Sequence, residues 1–297
     1  MNGVEEEKIE LLSVDLLNKH RQQVIDLRKL ARSLGLDFGW HYLLDLTWIL
    51  SELGTTQGKR IMDAGAGTGI LQWYLAQQGA EVISVDRLSR AALPLRFRAR
   101  FRVSGLRSQD LLQPPATLRA QWNGKAPWRA KLSAQARDVA GMAHWRHSAG
   151  RVIIYNHDLS DLADLADHSL DAVVAVSALE HNQPPALEQV VKELMRVLKP
   201  GGKLIASLTA GRDQDWWHEP SSGWCYTDAS LRRIFHLPQS TRSNYAEYDQ
   251  MLDELRQCAE LRDNLAHFYF QSANNGMPLG KWDPQYLPVG VVKIKAA

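Results

Sequence analysis

The sequence has few of the features that mark secreted, metal-binding or membrane-spanning proteins. Its 297 residues include only two cysteines, Cys225 and Cys258, which are too few for a disulfide framework and fit a reducing compartment. No apolar run approaches the roughly 18 residues of a membrane-spanning helix, and no His, Cys or Asp cluster has metal-ligand spacing. The first ten residues, MNGVEEEKIE, are polar and acidic, so no secretory signal is expected. We therefore expect a cytoplasmic protein without a metal, for which peripheral attachment to a membrane stays open.

The net charge is also small, at +2, but the charges are unevenly distributed. The segment from Arg87 to Arg151 contains 14 Lys or Arg and only two acids, Asp110 and Asp138, which gives it a net charge of +12 and the rest of the chain −10. Such asymmetry indicates an anionic partner, such as nucleic acid, an acidic glycan or a lipid surface. A solvated basic face that pairs with acids elsewhere, or on a second subunit, explains the charge equally well.

Hydrophobic periodicity divides the chain into a helical region and an alternating region. Apolar residues recur at helical spacing over 5–34, and Asp37 is placed to begin a second helix. Further on, short apolar strands alternate with helices; the strands are RIMDA, EVISVD, RVIIYNHD, LDAVVAVSA and KLIASLTA. This alternation predicts an α/β fold with a parallel sheet covered by helices on both faces. AHFYFQ and YLPVGVVKI follow without an intervening helix and predict an antiparallel pair at one sheet edge.

The strand pattern also predicts the division of the chain. We expect an N-terminal helical lid region over 1–57 and a ligand-binding domain over 58–297, with a basic insertion at about 90–150. Within the insertion, LRFRARFRV alternates Arg with apolar residues, as a strand with one cationic face would. Its position after a strand favours a helix instead.

The most informative motif is the glycine loop in IMDAGAGTGIL. Gly65, Gly67 and Gly69 occupy alternate positions after a strand, where glycine allows positive φ and close approach of a ligand. The following helix offers unpaired N–H groups and a positive dipole end. A dinucleotide loop requires a third glycine at position 70, which is Ile. Asp63 would repel a pyrophosphate but can accept from an ammonium group, so the loop favours a cofactor with an amino acid end over NAD.

A second acid, Asp86, ends the next strand, 21 residues after Gly65. A carboxylate at this strand tip can accept hydrogen bonds from both hydroxyls of a ribose. The alternative is a helix N-cap, because Leu88 and Ser89 follow.

These two motifs resemble the first two motifs of class I S-adenosylmethionine-dependent methyltransferases. HDLSDLADLADHSLDAVV resembles the third motif of that family, and VSALEHNQPPALEQVVKELMRVLKPGGKL resembles the fourth strand, helix and turn of its small-molecule subgroup. The resemblance covers about 60–87 and 151–209. It implies a Rossmann-like, mostly parallel seven-stranded sheet with an antiparallel edge strand, an N-terminal helical extension and a long insertion between strands 2 and 3. It also implies S-adenosylmethionine as the cofactor.

The resemblance implies roles for the residues that match the family's motifs. Those that would bind the cofactor are Asp63, Gly65, Ala66, Gly67, Gly69, Asp86, Arg87, Asp158, Leu159 and Ser177. Asp63 and the loop backbone would hold the methionyl part, and Asp86 the ribose. Asp158 and Leu159 would frame the adenine, with Arg87 nearby, and Ser177 would lie near the sulfonium.

The acceptor side is less well marked in the sequence. The loop DQDWWHEPSSGWCYTD should lie over the carboxyl ends of the strands, where ligands bind in this fold. Trp216, Trp217 and Trp224 in this loop are candidates for an apolar acceptor wall, although aromatic packing against the insertion is an equal alternative. His218, in the same loop, and His181, after the fourth strand, are candidate general bases.

The N-terminal helical region covers the cofactor in many related enzymes. Trp40, His41 and Tyr42 are candidates for that role, and Tyr42 is also a candidate acceptor contact. A packing role in the core explains these three residues equally well.

The predicted function is methyl transfer from S-adenosylmethionine to a hydroxyl or amine of a small-molecule or glycan acceptor. The basic segment would suit an acceptor that is anionic. Two alternatives are a methyltransferase that acts on RNA or protein through the basic insertion and a nicotinamide-dependent oxidoreductase. A third is a non-catalytic nucleic-acid or membrane module. Ile70 and the lack of any Tyr followed four residues later by Lys argue against the oxidoreductase. Ala-Leu-Glu-His after Ser177 lacks the Asn/Asp-Pro-Pro-aromatic signature of many nucleic-acid amino-methylating enzymes.

Overall fold

The computed structural model describes residues 6–123, 127–142, 148–263 and 281–296. In the N-terminal part, strand β1 (Lys8–Leu11) precedes helices α1 (Leu16–Lys19), α2 (Arg21–Leu34) and α3 (Tyr42–Leu53). The expectation of helix from residue 5 is wrong for β1. Its alternate side chains Ile9 and Leu11 are buried, as in a strand with one face in the core.

The elements of the central region alternate as expected. They are β2 (Arg60–Ala64), α4 (Leu71–Gln77), β3 (Glu81–Asp86), α5 (Leu95–Arg100), β4 (Arg102–Gly105), α6 (Pro114–Asn123), α7 (Trp128–Met142), β5 (Arg151–Asn156), β6 (Leu170–Val176), α8 (Pro184–Val197) and β7 (Leu198–Ala210). The C-terminal elements are β8 (Trp216–His218), β9 (Gly223–Tyr226), α9 (Asp228–Ile234), β10 (Arg242–Ser243), α10 (Tyr248–Gln257) and β11 (Leu287–Ile294).

One mixed sheet, mostly parallel, connects these strands in the order β10-β1-β11-β7-β6-β2-β3-β5-β4. The strands from β4 to β7 run parallel to their neighbours in the sheet, and β11 lies antiparallel between β7 and β1. The hairpin of β8 and β9 extends from the end of β7. The predicted α/β class with a mostly parallel sheet and an antiparallel strand is confirmed.

The sheet differs from the predicted seven strands at its margins. It contains eleven strands in the described part of the chain, because β1, β4, β8, β9 and β10 were not expected as strands. The antiparallel strand β11 is not at the edge, since β1 and β10 cover its outer side. The expected strand AHFYFQ lies outside the described residues.

The insertion begins with a change from helix to strand inside LRFRARFRV. The segment is helical through Arg100, turns extended at Phe101 and continues as β4 beside β5. Phe97 and Phe101 both pack on the Trp73 ring, with ring centroids 4.8 Å apart in each case. The expectation of an uninterrupted helix is wrong, because burying both phenylalanines against Trp73 and pairing with β5 stabilise the change.

Helix α3 lies against the sheet as part of the core. The Trp48 ring covers β11 at Gly290, where an added Cβ would lie 2.3 Å from the ring. Only glycine allows this approach. In the described ranges, no helix combines the length and apolar character needed to cross a membrane.

Candidate functional site

A cavity of about 430 Å³ lies at the carboxyl ends of β2, β3 and β6, where ligands bind in open parallel sheets. Its size is typical of small-molecule sites, which measure about 300–1,000 Å³. All ten residues that the sequence predicted for cofactor binding line it, as do Tyr42 and His181. Asp37 and Leu46, which the sequence did not indicate, add the wall on the N-terminal side.

The glycine loop forms the floor of the cavity between β2 and α4. Gly65 has φ 74 and Gly67 has φ 46, a left-handed conformation that favours glycine. The N–H groups of Gly65 and Ala66 both donate to the carbonyl of Val85, at 2.9 and 3.0 Å. A Cβ on Gly65 would lie 2.5 Å from that of Ala178. Torsion and contact together require glycine at position 65, which brings the backbone up to the ligand space.

Asp86 connects the glycine loop to the end of β3. One carboxylate oxygen accepts from the Gly67 N–H at 2.8 Å, and the other accepts from the Leu88 N–H at 2.7 Å. The next helix begins only at Leu95, so Asp86 is not the N-cap of a helix at Leu88. Each oxygen keeps a lone pair for a further donor on the cavity side.

Asp63 is a buried carboxyl in the cavity wall. Burial raises the pKa of Asp63 to about 7, although the nearby Arg90 guanidinium opposes the rise. No ion pair involves Asp63 within the part of the chain that the structure describes. A cationic group bound in the cavity would therefore pair with this carboxylate and favour its ionised form.

A buried polar network lies beneath the loop and centres on Arg90, which the sequence indicated only as one of many basic residues. Its guanidinium donates to the hydroxyl and, at 2.7 Å, to the carbonyl of Ser84. The Ser84 hydroxyl donates to Gln72 at 2.6 Å, and Gln72 donates to the Gly69 carbonyl at 3.0 Å. Arg90 thus positions the loop. Charge composition gave no signal for this role, because it does not show which way a side chain points.

The end of β6 carries a second polar cluster. Ser177 has φ 43, unusual for a residue other than glycine, and its hydroxyl donates to Glu180 at 2.5 Å. Burial raises the pKa of Glu180, which neighbouring His181 opposes. Burial also raises the pKa of Tyr42, whose hydroxyl lies beside the Ser177 hydroxyl. Ser177 is thus held by groups on both sides where it meets the cavity.

His181 lines the cavity with one ring nitrogen engaged. Its Nδ1 lies 2.8 Å from the Ser222 carbonyl oxygen, and only a protonated nitrogen can donate to a carbonyl. We therefore assign the proton to Nδ1 in the neutral ring. This leaves Nε2 with a lone pair.

The other candidate base, His218, is not at the cavity wall. It is buried, its Nδ1 lies 2.7 Å from the Ser221 hydroxyl, and its ring packs edgewise on Trp216 and Tyr286. Burial lowers the pKa of His218. These contacts fix the His218 ring within the core beside β11.

The three tryptophans of the same loop also lie away from the cavity wall. Trp216 and Trp217 are on β8 and Trp224 is on β9, so hairpin pairing sets their directions. Trp217 and Trp224 pack edgewise with ring centroids 5.7 Å apart. Among the described residues, the ring contacts of these tryptophans are with each other and with His218, and none is with the insertion.

The two other aromatic residues proposed with Tyr42 lie in the core. Trp40 packs edgewise on Trp282, and the His41 Nδ1 lies 2.6 Å from Asp45 within α3. The structure therefore brings only Tyr42 of these three to the cavity.

The basic segment divides into inward and outward cations. Arg96 pairs with Asp138 at 2.8 Å, Arg107 pairs with Asp110 at 3.3 Å, and Arg98 donates to a backbone carbonyl. Of the segment's described cations, only Arg87 lines the cavity. Lys125 and Arg146 lie outside the described residues. Among those described, no three His, Cys, Asp or Glu side chains are grouped as metal ligands would be.

Comparisons with known proteins find similarity to methyltransferases. Residues 123–206 match a family model described as a methyltransferase domain. The ubiquinone biosynthesis O-methyltransferase of Alkalilimnicola ehrlichii is 28% identical over 164 residues, which are 55% of this chain and 47% of that protein. The protein of the same name from Sodalis glossinidius is 23% identical over 210 residues, 67% and 65% of the two chains. The chain spans about half the length of the first of these relatives.

Among solved structures, a similar one is the Burkholderia thailandensis 1,6-didemethyltoxoflavin-N1-methyltransferase with bound 1,6-didemethyltoxoflavin and S-adenosylhomocysteine. It is 14% identical, and the alignment covers 95% of this chain and 86% of that one with a TM-score of 0.41.

The methyltransferase-domain match over residues 123–206 and the similarity to these methyltransferases support the predicted family, the class I S-adenosylmethionine-dependent methyltransferases, and its cofactor. The curated relatives described above, to which the chain is similar, are ubiquinone biosynthesis O-methyltransferases.

Proposed function

We propose that the protein transfers the methyl group of S-adenosylmethionine to a hydroxyl or amine of a small acceptor bound in the cavity. One observation carries the proposal. The glycine loop and three acids, Asp63, Asp86 and Asp158, meet in the same cavity as His181. The first four features suit the cofactor, and His181 suits the removal of a proton from the acceptor.

The residues present fit this cofactor group by group. The buried Asp63 carboxylate suits the methionyl ammonium, and the free lone pairs of Asp86 suit a ribose diol. Asp158 accepts twice from Ser160 through one oxygen, at 2.8 and 2.7 Å, which lowers its pKa and leaves the second oxygen for the adenine amino group. Leu159 supplies an apolar surface beside it.

The N-terminal helical region, within 1–57, is proposed to cover the cofactor. Asp37, Tyr42 and Leu46 all reach the cavity wall from this region. Because α3 packs on the sheet through Trp48, we infer that this cover is fixed to the domain rather than hinged.

The bound cofactor would supply a methyl group on a sulfonium. An acceptor atom could attack that methyl group in line, and the sulfur would leave. The protein's part is to align the acceptor, which lowers the barrier through positioning. A hydroxyl or ammonium acceptor must also lose a proton, and the Nε2 lone pair of His181 can take it. Ser177, held by Glu180 and Tyr42, would position the acceptor beside the reacting centre.

The charge of the cavity wall disfavours an anionic acceptor. Its wall carries four carboxyl groups, from Asp37, Asp63, Asp86 and Asp158, and one guanidinium, from Arg87. This excess of negative charge disfavours an anionic small molecule. The basic segment does not offset the charge, because its other described cations lie elsewhere.

Binding measurements separate this function from a nicotinamide-dependent one. Calorimetry should show binding of S-adenosylmethionine and none of NAD, and Asp86→Ala should weaken the first by at least about tenfold by analogy with a lost charged hydrogen bond. The control is Asp213→Ala, since Asp213 is exposed and outside the cavity. Tight binding of NAD without binding of the methyl donor would overturn the proposal.

A mass-spectrometric screen tests the acceptor. Metabolite extracts incubated with enzyme and cofactor should contain species that gain one methyl group, and His181→Ala should lower the rate without changing cofactor affinity. Methylation of RNA or protein with no methylated metabolite would instead assign a macromolecular acceptor.

A further inference from the structure

Helices α6 and α7 of the insertion leave large apolar side chains in water. Eight such side chains are exposed within the described residues, and five belong to these two helices. They are Leu118 (39% exposed), Trp122 (48%), Trp128 (62%), Leu132 (46%) and Val139 (69%). A grouping of this kind marks an interaction surface, whereas exposed apolar residues scattered singly do not.

The exposed residues of α7 share one face of the helix. Trp128, Leu132 and Val139 are separated by four and seven residues, which places them along one stripe. Asp138, on a different face, is buried and binds Arg96 and the Leu95 N–H. The apolar stripe is therefore turned away from the contact through which α7 joins the protein.

Helix α6 continues this surface. Leu118 and Trp122 are four residues apart on one face of it, and the Lys131 ammonium of α7 lies 6.0 Å from the centre of the Trp122 ring. Gln121 also reaches Asp138 at 3.5 Å. The two exposed faces consequently adjoin.

Cations accompany the apolar side chains. Arg119, Arg129 and Lys131 lie beside them on these helices and form no ion pair with any described residue. Residues 114–142 contain five Lys or Arg and a single acid, Asp138, whose charge Arg96 already neutralises. The surface is thus both apolar and positively charged.

We propose that the α6–α7 surface, defined by these five apolar residues and by Arg119, Arg129 and Lys131, binds the face of a lipid bilayer that contains anionic lipids. Cations bind anionic headgroups, while Trp and aliphatic side chains enter the boundary between headgroups and acyl chains. Nucleic acid would use the cations and stack on Trp, but gives no partner to Leu132 or Val139. The proposal rests on the insertion and is independent of the proposed methyl transfer.

Vesicle sedimentation of the full chain, without cofactor or acceptor, tests the proposal. We expect the protein to bind vesicles that contain phosphatidylcholine and phosphatidylserine, and this binding should weaken as the salt concentration rises. Binding to vesicles of pure phosphatidylcholine should be at least tenfold weaker. Trp128→Ser with Leu132→Ser should weaken binding at least tenfold. The control is Ile25→Ser, because Ile25 is an exposed apolar residue on α2.

The electrostatic part has its own matched pair. Arg129→Gln with Lys131→Gln should reduce binding to anionic vesicles and flatten its salt dependence. Arg102→Gln with Lys192→Gln removes the same charge from β4 and α8 and should leave binding unchanged. Circular dichroism and S-adenosylmethionine binding show that each variant is folded.

Three results would overturn the proposal. The first is that the wild-type protein does not sediment with anionic vesicles. The second is that the Trp128 and Leu132 variant binds them as well as wild type does. The third is that the protein binds single-stranded RNA and does not bind vesicles. A dimer that the same variant abolishes, without vesicle binding by wild type, would assign the surface to a second copy instead.

Discussion

Asp63 links the proposed cofactor site to pH. Its carboxyl has a pKa of about 7 in the free protein because it is buried, and only the ionised form can pair with an ammonium group. Binding of the cation stabilises the ionised form and lowers the pKa, so protons compete with the cofactor below about pH 7 and not above it. The affinity should therefore fall as pH decreases.

We expect S-adenosylmethionine to bind about tenfold more weakly at pH 6 than at pH 8, as one proton competing at a pKa near 7 requires. Calorimetry across this range measures it. Asp63→Asn should bind weakly at every pH and lose the pH dependence. The same slope in Asp63→Asn as in wild type would show that another group titrates.

Arg90 should be far more important for stability than its neighbours in the sequence. Removing the guanidinium leaves the hydroxyl and the carbonyl of Ser84 without this donor and buries unpaired polar atoms. Arg90→Ala is expected to lower the free energy of unfolding by about 3 kcal/mol, as for one partner lost from a buried charged network.

Urea denaturation measures this loss, with Arg102→Ala as the control because Arg102 is exposed and forms no ion pair with the described residues. Equal stability of the two variants would mean that the Arg90 network does not hold the glycine loop.

Helix α3 and strand β11 depend on each other through one close contact. Gly290 lies against the Trp48 ring, where a Cβ would approach to 2.3 Å. Gly290→Ala forces the ring or the strand to shift and should cost about 1–3 kcal/mol, typical of overpacking.

Gly58→Ala separates crowding from backbone strain. Gly58 has φ 74 but no atom within 4 Å of its added Cβ, so its variant should lose only about 1 kcal/mol from the left-handed torsion. Thermal denaturation of both compares the two effects. A smaller loss for Gly290→Ala than for Gly58→Ala would contradict the packing described for α3.

The elements also show where sequence patterns stop being informative. RIMDA, EVISVD and the other central strands were predicted because each is a short apolar run between turn residues. For LRFRARFRV the alternation suits a strand and the position suits a helix, and the helix favoured by position ends at Arg100. Contacts of Phe97 and Phe101 with Trp73, about 25 residues away in the sequence, determine which half takes which form.

For the molecule as a whole, the proposed cofactor should act as a stabilising ligand. At a hundred times its dissociation constant, a ligand that binds only the folded state adds about 2.7 kcal/mol. For a chain of this length that corresponds to a rise in Tm of roughly 5 °C.

Differential scanning fluorimetry with S-adenosylmethionine tests this rise, with NAD at the same concentration as the comparison. Asp86→Ala should show a smaller rise than wild type at that concentration. A rise with NAD alone would contradict the assignment of the cavity to the methyl donor.

The sequence by itself determined the fold class and predicted ten of the residues that line the cavity. The sequence predicts glycines at 65, 67 and 69 and acids at 63, 86 and 158 because each lies at the carboxyl end of a strand, or just after it, and local patterns reveal those strands. Alternation of strands and helices brings those ends to one edge.

Only the tertiary structure decided which histidine reaches the cavity, which arginines turn inward and what covers the antiparallel strand. His181 and His218 both follow strands, but pairing of β8 with β9 turns His218 into the core. β1 becomes a strand because Lys8 pairs opposite Val292, far along the chain. Such pairings depend on free energy gained between distant segments, which no local pattern contains.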